Sequence, residues 1–159
     1  MILRVPRSAE IGAGGMLGAG VRVLRLPAPD RRRVFEAVVQ VTRSSLELRL
    51  VPATRTVALL GSVGSDNPEE SVEQAQLREA ALVGRAVAAA GRRLPWHPTC
   101  LRQALAAQRM LRRRGVASRL HLGVTSAAVA EAHAWVTVQG EPIVGRAGLD
   151  RFVPLAAFK

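Results

Sequence analysis

Apolar residues recur at helical intervals through the first two thirds of the chain and alternate with polar ones in much of the remainder. Val34, Ala37, Val38, Val41 and Leu48 share one helical face, which predicts a helix over 31–49. Pro27-Ala28-Pro29-Asp30 precedes it as a start signal, with Asp30 as N-cap. Leu50-Val51-Pro52 breaks the pattern, and a short helix is expected at about 53–60, ended by Gly61. Residues 61–70, GSVGSDNPEE, read as a loop, with Asn67 and Pro68 as N-cap and first residue of the next helix. Glu69, Glu70 and Glu73 fall in its opening turns, where the dipole favours acids. Val72, Ala75, Leu82, Val83, Ala86 and Val87 form its buried side, and Gly91 ends it after about Ala90. Thr99 then caps a helix over 100–114, stopped by Gly115, whose Leu101, Ala104, Leu105, Ala107 and Leu111 face a core.

After Gly115 the period shortens to two. Leu120, Leu122 and Val124 alternate with Arg119, His121 and Gly123, which predicts a strand. Residues 125–131 connect it to a second strand, Ala132–Val138; Gln139-Gly140 is a tight turn and Pro142–Val144 a short third strand. Helices first and an antiparallel meander afterwards make an α+β fold, helical over about 30–114 and sheet over about 117–145. Residues 1–20 read as a loose arm and 21–159 as a single domain without internal repeats. The small, Gly-rich run IGAGGMLGAG makes a poor signal-peptide core, and Met16 is an alternative start.

Composition narrows the partners. The net charge is +11, but Lys159 is the only lysine, the arginines are scattered, and only three Phe and two Trp are present to stack on bases. That pattern argues against nucleic acid and leaves an acidic peptide as the natural polyanion. Arg31-Arg32-Arg33 reads as a solvated face, and Arg112-Arg113-Arg114 as cations suited to a helix C-terminus. No apolar run reaches the ~18 residues of a membrane span. One cysteine excludes an internal disulfide and a cysteine zinc cluster, and fits a reducing cytoplasm. Three dispersed histidines do not form a metal-site pattern, and no cofactor is implied.

That single cysteine carries the chemistry. Cys100 follows the loop Pro95-Trp96-His97-Pro98-Thr99 as the first residue of its helix. There the dipole and free N–H groups stabilise a thiolate and can receive an oxyanion. His133 comes 33 residues later, in Ala132-His133-Ala134-Trp135, on one strand face with Trp135. If that strand packs on the cysteine helix, the imidazole can act as base and then acid, and Trp135 can wall the site. His97 and Trp96 can line a cleft beside Cys100, while His121 shares a sheet face with Arg119. The alternative is a buried, inert Cys100 and a structural His133.

The stretch PWHPTCLRQALAAQRMLRRRGVASRLHLGV, joined to AHAWVTVQG, resembles the transglutaminase-like cysteine peptidase of lasso-peptide biosynthesis, in its stand-alone form without a leader-binding domain. The resemblance covers about residues 22–155 and includes VRVLRLPAPDRRRVFEAVVQ and VPATRTVALLG upstream. It implies a papain/transglutaminase-like fold and a Cys-His-acid triad with Cys100 as nucleophile and His133 as base. It also implies removal of the leader from a ribosomally made precursor peptide, a separate leader-binding recognition protein, and a ring-closing cyclase related to asparagine synthetase. The family's acid is expected about a dozen residues after His133. Here that region reads Pro142-Ile143-Val144-Gly145-Arg146, without an acid. Asp150 is the first candidate for the third member and Glu141 the second, with Gln139 a polar neighbour; an orienting amide or carbonyl would also serve. Two other readings remain: a different acyl-transfer enzyme, such as an amidase or transglutaminase, and a non-enzymatic basic binding module.

Overall fold

A computed structural model of the chain describes residues 28–51, 72–126 and 130–158. The arm at 1–20, the helix at 53–60 and the loop at 61–70 lie outside the described residues. Three helices, α1 (Ala28–Leu50), α2 (Gln74–Arg93) and α3 (Cys100–Arg112), precede strands β1 (Arg119–Thr125), β2 (Ala132–Val138), β3 (Glu141–Val144) and β4 (Phe152–Phe158). This is the expected α+β order. Helix α3 is the hub: α1 and α2 pack on it, and it packs on β2. Leu105, Met110 and Leu111 of α3 are fully buried, and they share the core with Val41, Val83, Val87, Leu120 and Val136.

The sheet contains the expected antiparallel meander, β1-β2-β3, and adds a fourth strand. Its order is β3-β2-β1-β4, all antiparallel, so the chain returns from one edge to lie beside β1, as in a Greek key. The added strand, β4, has no clear signal in the sequence, because FVPLAAF lacks clean alternation and carries Pro154. A proline is tolerated there because β4 is an edge strand. The β2–β3 hairpin closes as expected through Gln139 and Gly140, whose φ values of 50° and 78° fit a two-residue turn that follows the sheet twist.

Several helix signals are corrected. Asp30 lies in the first turn of α1, which starts at Ala28. Helix α2 starts at Gln74 with Glu73 as N-cap, where Gln76 reaches back to accept from the Glu73 N–H at 3.0 Å; Asn67 and Pro68 lie outside the described residues. Ala75 is exposed, and Gly91 is buried within the last turn instead of ending the helix. Thr99 is the N-cap of α3 by position, but its hydroxyl makes no capping bond.

The arginine runs are partly structural. Arg31 and Arg32 are exposed, but Arg33 turns inward and pairs bidentately with Glu79 at 3.1 and 2.8 Å. Arg114 joins Glu79 at 2.9 Å and Glu36 at 2.7 Å, so two carboxylates and two guanidiniums tie α1, α2 and the end of α3 together. A second cluster holds Glu47 between Arg43 and Arg109. The hydrogen bond from Arg33, followed by that from Arg114, keeps the Glu79 carboxyl below the usual range despite partial burial. Burial pushes Glu47 up, but hydrogen bonds from Arg43 and Arg109 together outweigh it and leave that carboxyl lowered. Carboxyls with depressed folded pKa values stabilise the fold fully above the ordinary glutamate range, about pH 4–5, and lose that contribution as pH falls through their folded values. Thermal unfolding followed by circular dichroism from pH 7 to pH 3 is expected to show a falling Tm below about pH 5. In Glu79→Gln that fall is shallower.

Candidate functional site

Cys100 is the first residue of α3, free and half-buried, among the groups rimming the core with Leu122, Ile143 and Ala156. Two contacts hold the helix start. Gln103 Nε2 donates to the Pro98 carbonyl at 2.8 Å, and the Gln103 N–H donates to the Thr99 carbonyl at 3.2 Å. Because Thr99 supplies no side-chain cap, the first-turn N–H groups beside Cys100 are not taken up by it. In the loop before it, Trp96 is 40% exposed, and His97 is exposed with φ 42°, a left-handed conformation uncommon outside glycine.

His133 sits one residue into β2, the strand on which α3 packs. The register pairs Gly123 with His133, His121 with Trp135 and Arg119 with Thr137, so these six residues share one face. Ala134, Val136 and Val138 take the other face and are buried in the core. Trp135 is stacked between two histidines, 5.2 Å from the His121 ring and 6.1 Å from the His133 ring. At 7% exposure it backs His133 and presents little surface of its own. His121 Nε2 is engaged with Thr137 Oγ1 at 2.8 Å, a structural use of that ring.

The segment crossing from β3 to β4 completes the surroundings of His133. Phe152, the first residue of β4, stacks on the imidazole at 4.8 Å. Gly145, just past β3, presents its backbone carbonyl to His133 Nε2 at 2.8 Å. Neither expected acid takes that position. Asp150 lies exposed in a 3-10 turn, Leu149–Arg151, and Glu141 is exposed beside Arg146 at 3.4 Å. Gln139 turns away and donates to the Val72 carbonyl at 3.3 Å. Phe152 and the Gly145 carbonyl were both missed in the sequence; the one available signal was a glycine standing about where the resemblance expects an acid.

Among the described residues no hydrogen bond joins Cys100 to His133, and no three His, Cys, Asp or Glu side chains gather to hold a metal. No helix among the described residues is long and apolar enough to cross a membrane. No curated protein and no solved structure matches the chain. The family model of the transglutaminase-like superfamily matches residues 44–157, a span that takes in α3, all of the sheet but the last residue of β4, Cys100 and His133. With helices followed by a small antiparallel sheet, and with that match across most of its length, the chain belongs to the transglutaminase-like superfamily, whose members are generally cysteine-type hydrolases and acyltransferases.

Proposed function

We propose that this protein is a cysteine peptidase that removes the leader from a ribosomally synthesised lasso precursor peptide before a cyclase closes the ring. The observation that carries the acyl-transfer part is a free cysteine at the first position of α3 and, on the strand against which that helix packs, a histidine whose ring is fixed. The resemblance of the Cys100 and His133 stretches to stand-alone lasso peptidases supports the narrower substrate. On this reading the partners are the precursor's leader region, a separate leader-binding recognition protein and an asparagine-synthetase-like cyclase, all in the cytoplasm.

The chemistry follows from the residues. His133 takes the thiol proton, and Cys100 Sγ attacks the scissile carbonyl carbon. The oxyanion is received by first-turn N–H groups of α3, and the tetrahedral intermediate collapses by breaking the C–N bond. His133 returns the proton to the leaving amine. A water deprotonated by His133 then attacks the thioester, freeing the leader as an acid and restoring the thiol. Contacts between such groups commonly tighten only when substrate is bound. Trp96 and His97, exposed in the loop that enters α3, are the substrate-contacting side chains of this reading.

A groove of about 360 Å³ between α1 and α2 offers the peptide a second hold. Val34, Ala86 and Ala89 line it, and Arg85 and Arg92 stand at its rim with no ion pair among the described residues. The last turn of α2 leads through residues 94–99 directly to Cys100. Asp30 also lines it, so the match for an acidic, aliphatic stretch of the precursor rests on Arg85 and Arg92. Arg85→Glu with Arg92→Glu is therefore expected to raise KM roughly tenfold and leave kcat within about twofold, the effect of losing binding that ground and transition states share.

The deciding experiment incubates the protein with the precursor and the leader-binding protein and reads the products by mass spectrometry. Release of an intact leader supports the peptidase. Acyl transfer to an added amine without leader release favours the amidase or transglutaminase alternative, and no reaction from folded protein with both partners present rejects both.

A further inference from the structure

We infer that the backbone carbonyl of Gly145 does the work of the triad's third member, orienting His133 in place of an acid. The inference deepens the cysteine-peptidase reading and rests on it for its catalytic consequence, though not for its structural one. A carbonyl oxygen can only accept, so the ring nitrogen 2.8 Å away, Nε2, must carry the proton. In the neutral imidazole the other nitrogen, Nδ1, is then the unprotonated one and the base. A carbonyl fixes a histidine tautomer as a carboxylate does, although it adds no charge.

Three features hold this arrangement. Twelve residues separate Gly145 from His133, the spacing at which the resemblance expects an acid. Phe152 and Trp135 lie against the imidazole at 4.8 and 6.1 Å, with interplanar angles of 25° and 18°, which limits ring rotation. Finally, position 145 has no room for a side chain. A Cβ there would come within 2.7 Å of the Ala134 carbonyl oxygen and 2.9 Å of Trp135 Cβ, and φ is +80°. An aspartate cannot occupy this backbone path, and the absent acid is a substitution of one acceptor for another. Gly145 is thus a positioning residue, acting through His133.

The test has one arm that needs no activity. In protein labelled with 15N-histidine, the ring nitrogen shifts of His133 at neutral pH, assigned by comparison with His133→Gln, are expected to report the Nε2–H tautomer. An Nδ1–H tautomer, or a fast average of the two, overturns the inference even if the protein cleaves nothing. The second arm uses leader release. Asp150→Asn and Glu141→Gln, singly and together, are expected to stay within about twofold of wild type, whereas losing a true triad carboxylate costs on the order of ten-thousandfold. A hundredfold loss or more in either overturns it. The third arm replaces Arg146 with its α-hydroxy acid, converting the Gly145 carbonyl to an ester, a weaker acceptor, without changing any side chain. It is expected to lower kcat roughly tenfold with KM unchanged, the scale of one hydrogen bond, and to reduce the Nε2–H preference. An unchanged kcat and tautomer overturn the role. If wild type shows no activity while the tautomer is Nε2–H, the peptidase reading fails and the Gly145–His133 coupling stands.

Discussion

Cys100→Ala is expected to abolish leader release while leaving the fold intact. Removing a covalent nucleophile from a coupled catalytic group costs a factor on the order of a million in kcat, because neither the base nor the oxyanion donors can replace it. The structural cost is small. Cys100 is half-buried and free, so losing Sγ opens at most a small gap at the rim of the core, at about 1 kcal/mol or less. Precursor cleavage by mass spectrometry and thermal unfolding of the same preparation separate the two effects. A variant that melts like wild type and still releases leader removes Cys100 from the mechanism. His133→Ala is expected to follow it in activity, but with a larger stability loss, since the ring stacks on Phe152 and Trp135 and is bonded to Gly145.

The largest stability loss is expected from Gly84→Val. Glycine in the middle of a helix is ordinarily a weakness, costing about 1 kcal/mol against alanine. Here it is what lets α2 lie against β3: a Cβ at position 84 would fall 2.5 Å from the Ile143 carbonyl oxygen and 2.9 Å from Ile143 Cγ2. The nearest obstacle is backbone, so helix and strand must separate. The expected loss is about 3 kcal/mol, the upper part of the usual cost of overpacking. That lowers Tm by roughly 6–12 °C for a chain of this size. Ala81→Val, one turn earlier on the exposed side of α2, adds the same β-branched side chain where nothing opposes it and is expected to cost under about 1 kcal/mol. Equal melting of the two variants would show that the contact with Ile143 does not limit packing.

Local signals in the sequence were reliable where the chain answers to its immediate neighbours. The bounds of β2, Ala132–Val138, follow from strict alternation, and the Gln139-Gly140 turn from two residues that tolerate positive φ. Cys100 stands at the start of α3 because Pro98 and Thr99 stop anything helical earlier and the apolar spacing begins directly after. Signals failed where two options were locally equivalent. Glu73 is not a usual N-cap residue type, yet it caps α2, because its side chain and that of Gln76 each accept from the other's backbone N–H. Arg33 sits in a run that reads as a solvated face and Arg114 in one that reads as helix C-terminal cations; Glu79, far away in sequence, selects one from each.

By itself, then, the sequence determined the α+β order, the placement of Cys100 at a helix start and the sharing of one strand face by His133 and Trp135. Each rests on periodicity or on contacts within a few residues, which side-chain type encodes directly. Only the tertiary structure decided the fourth strand and the partner of His133. β4 gains its pairing from β1, a strand some thirty residues earlier, against its own weak local preference. The partner of His133 is a backbone carbonyl, a group every residue carries, so no residue type can announce it. Its role is set by where the crossing from β3 to β4 passes the imidazole.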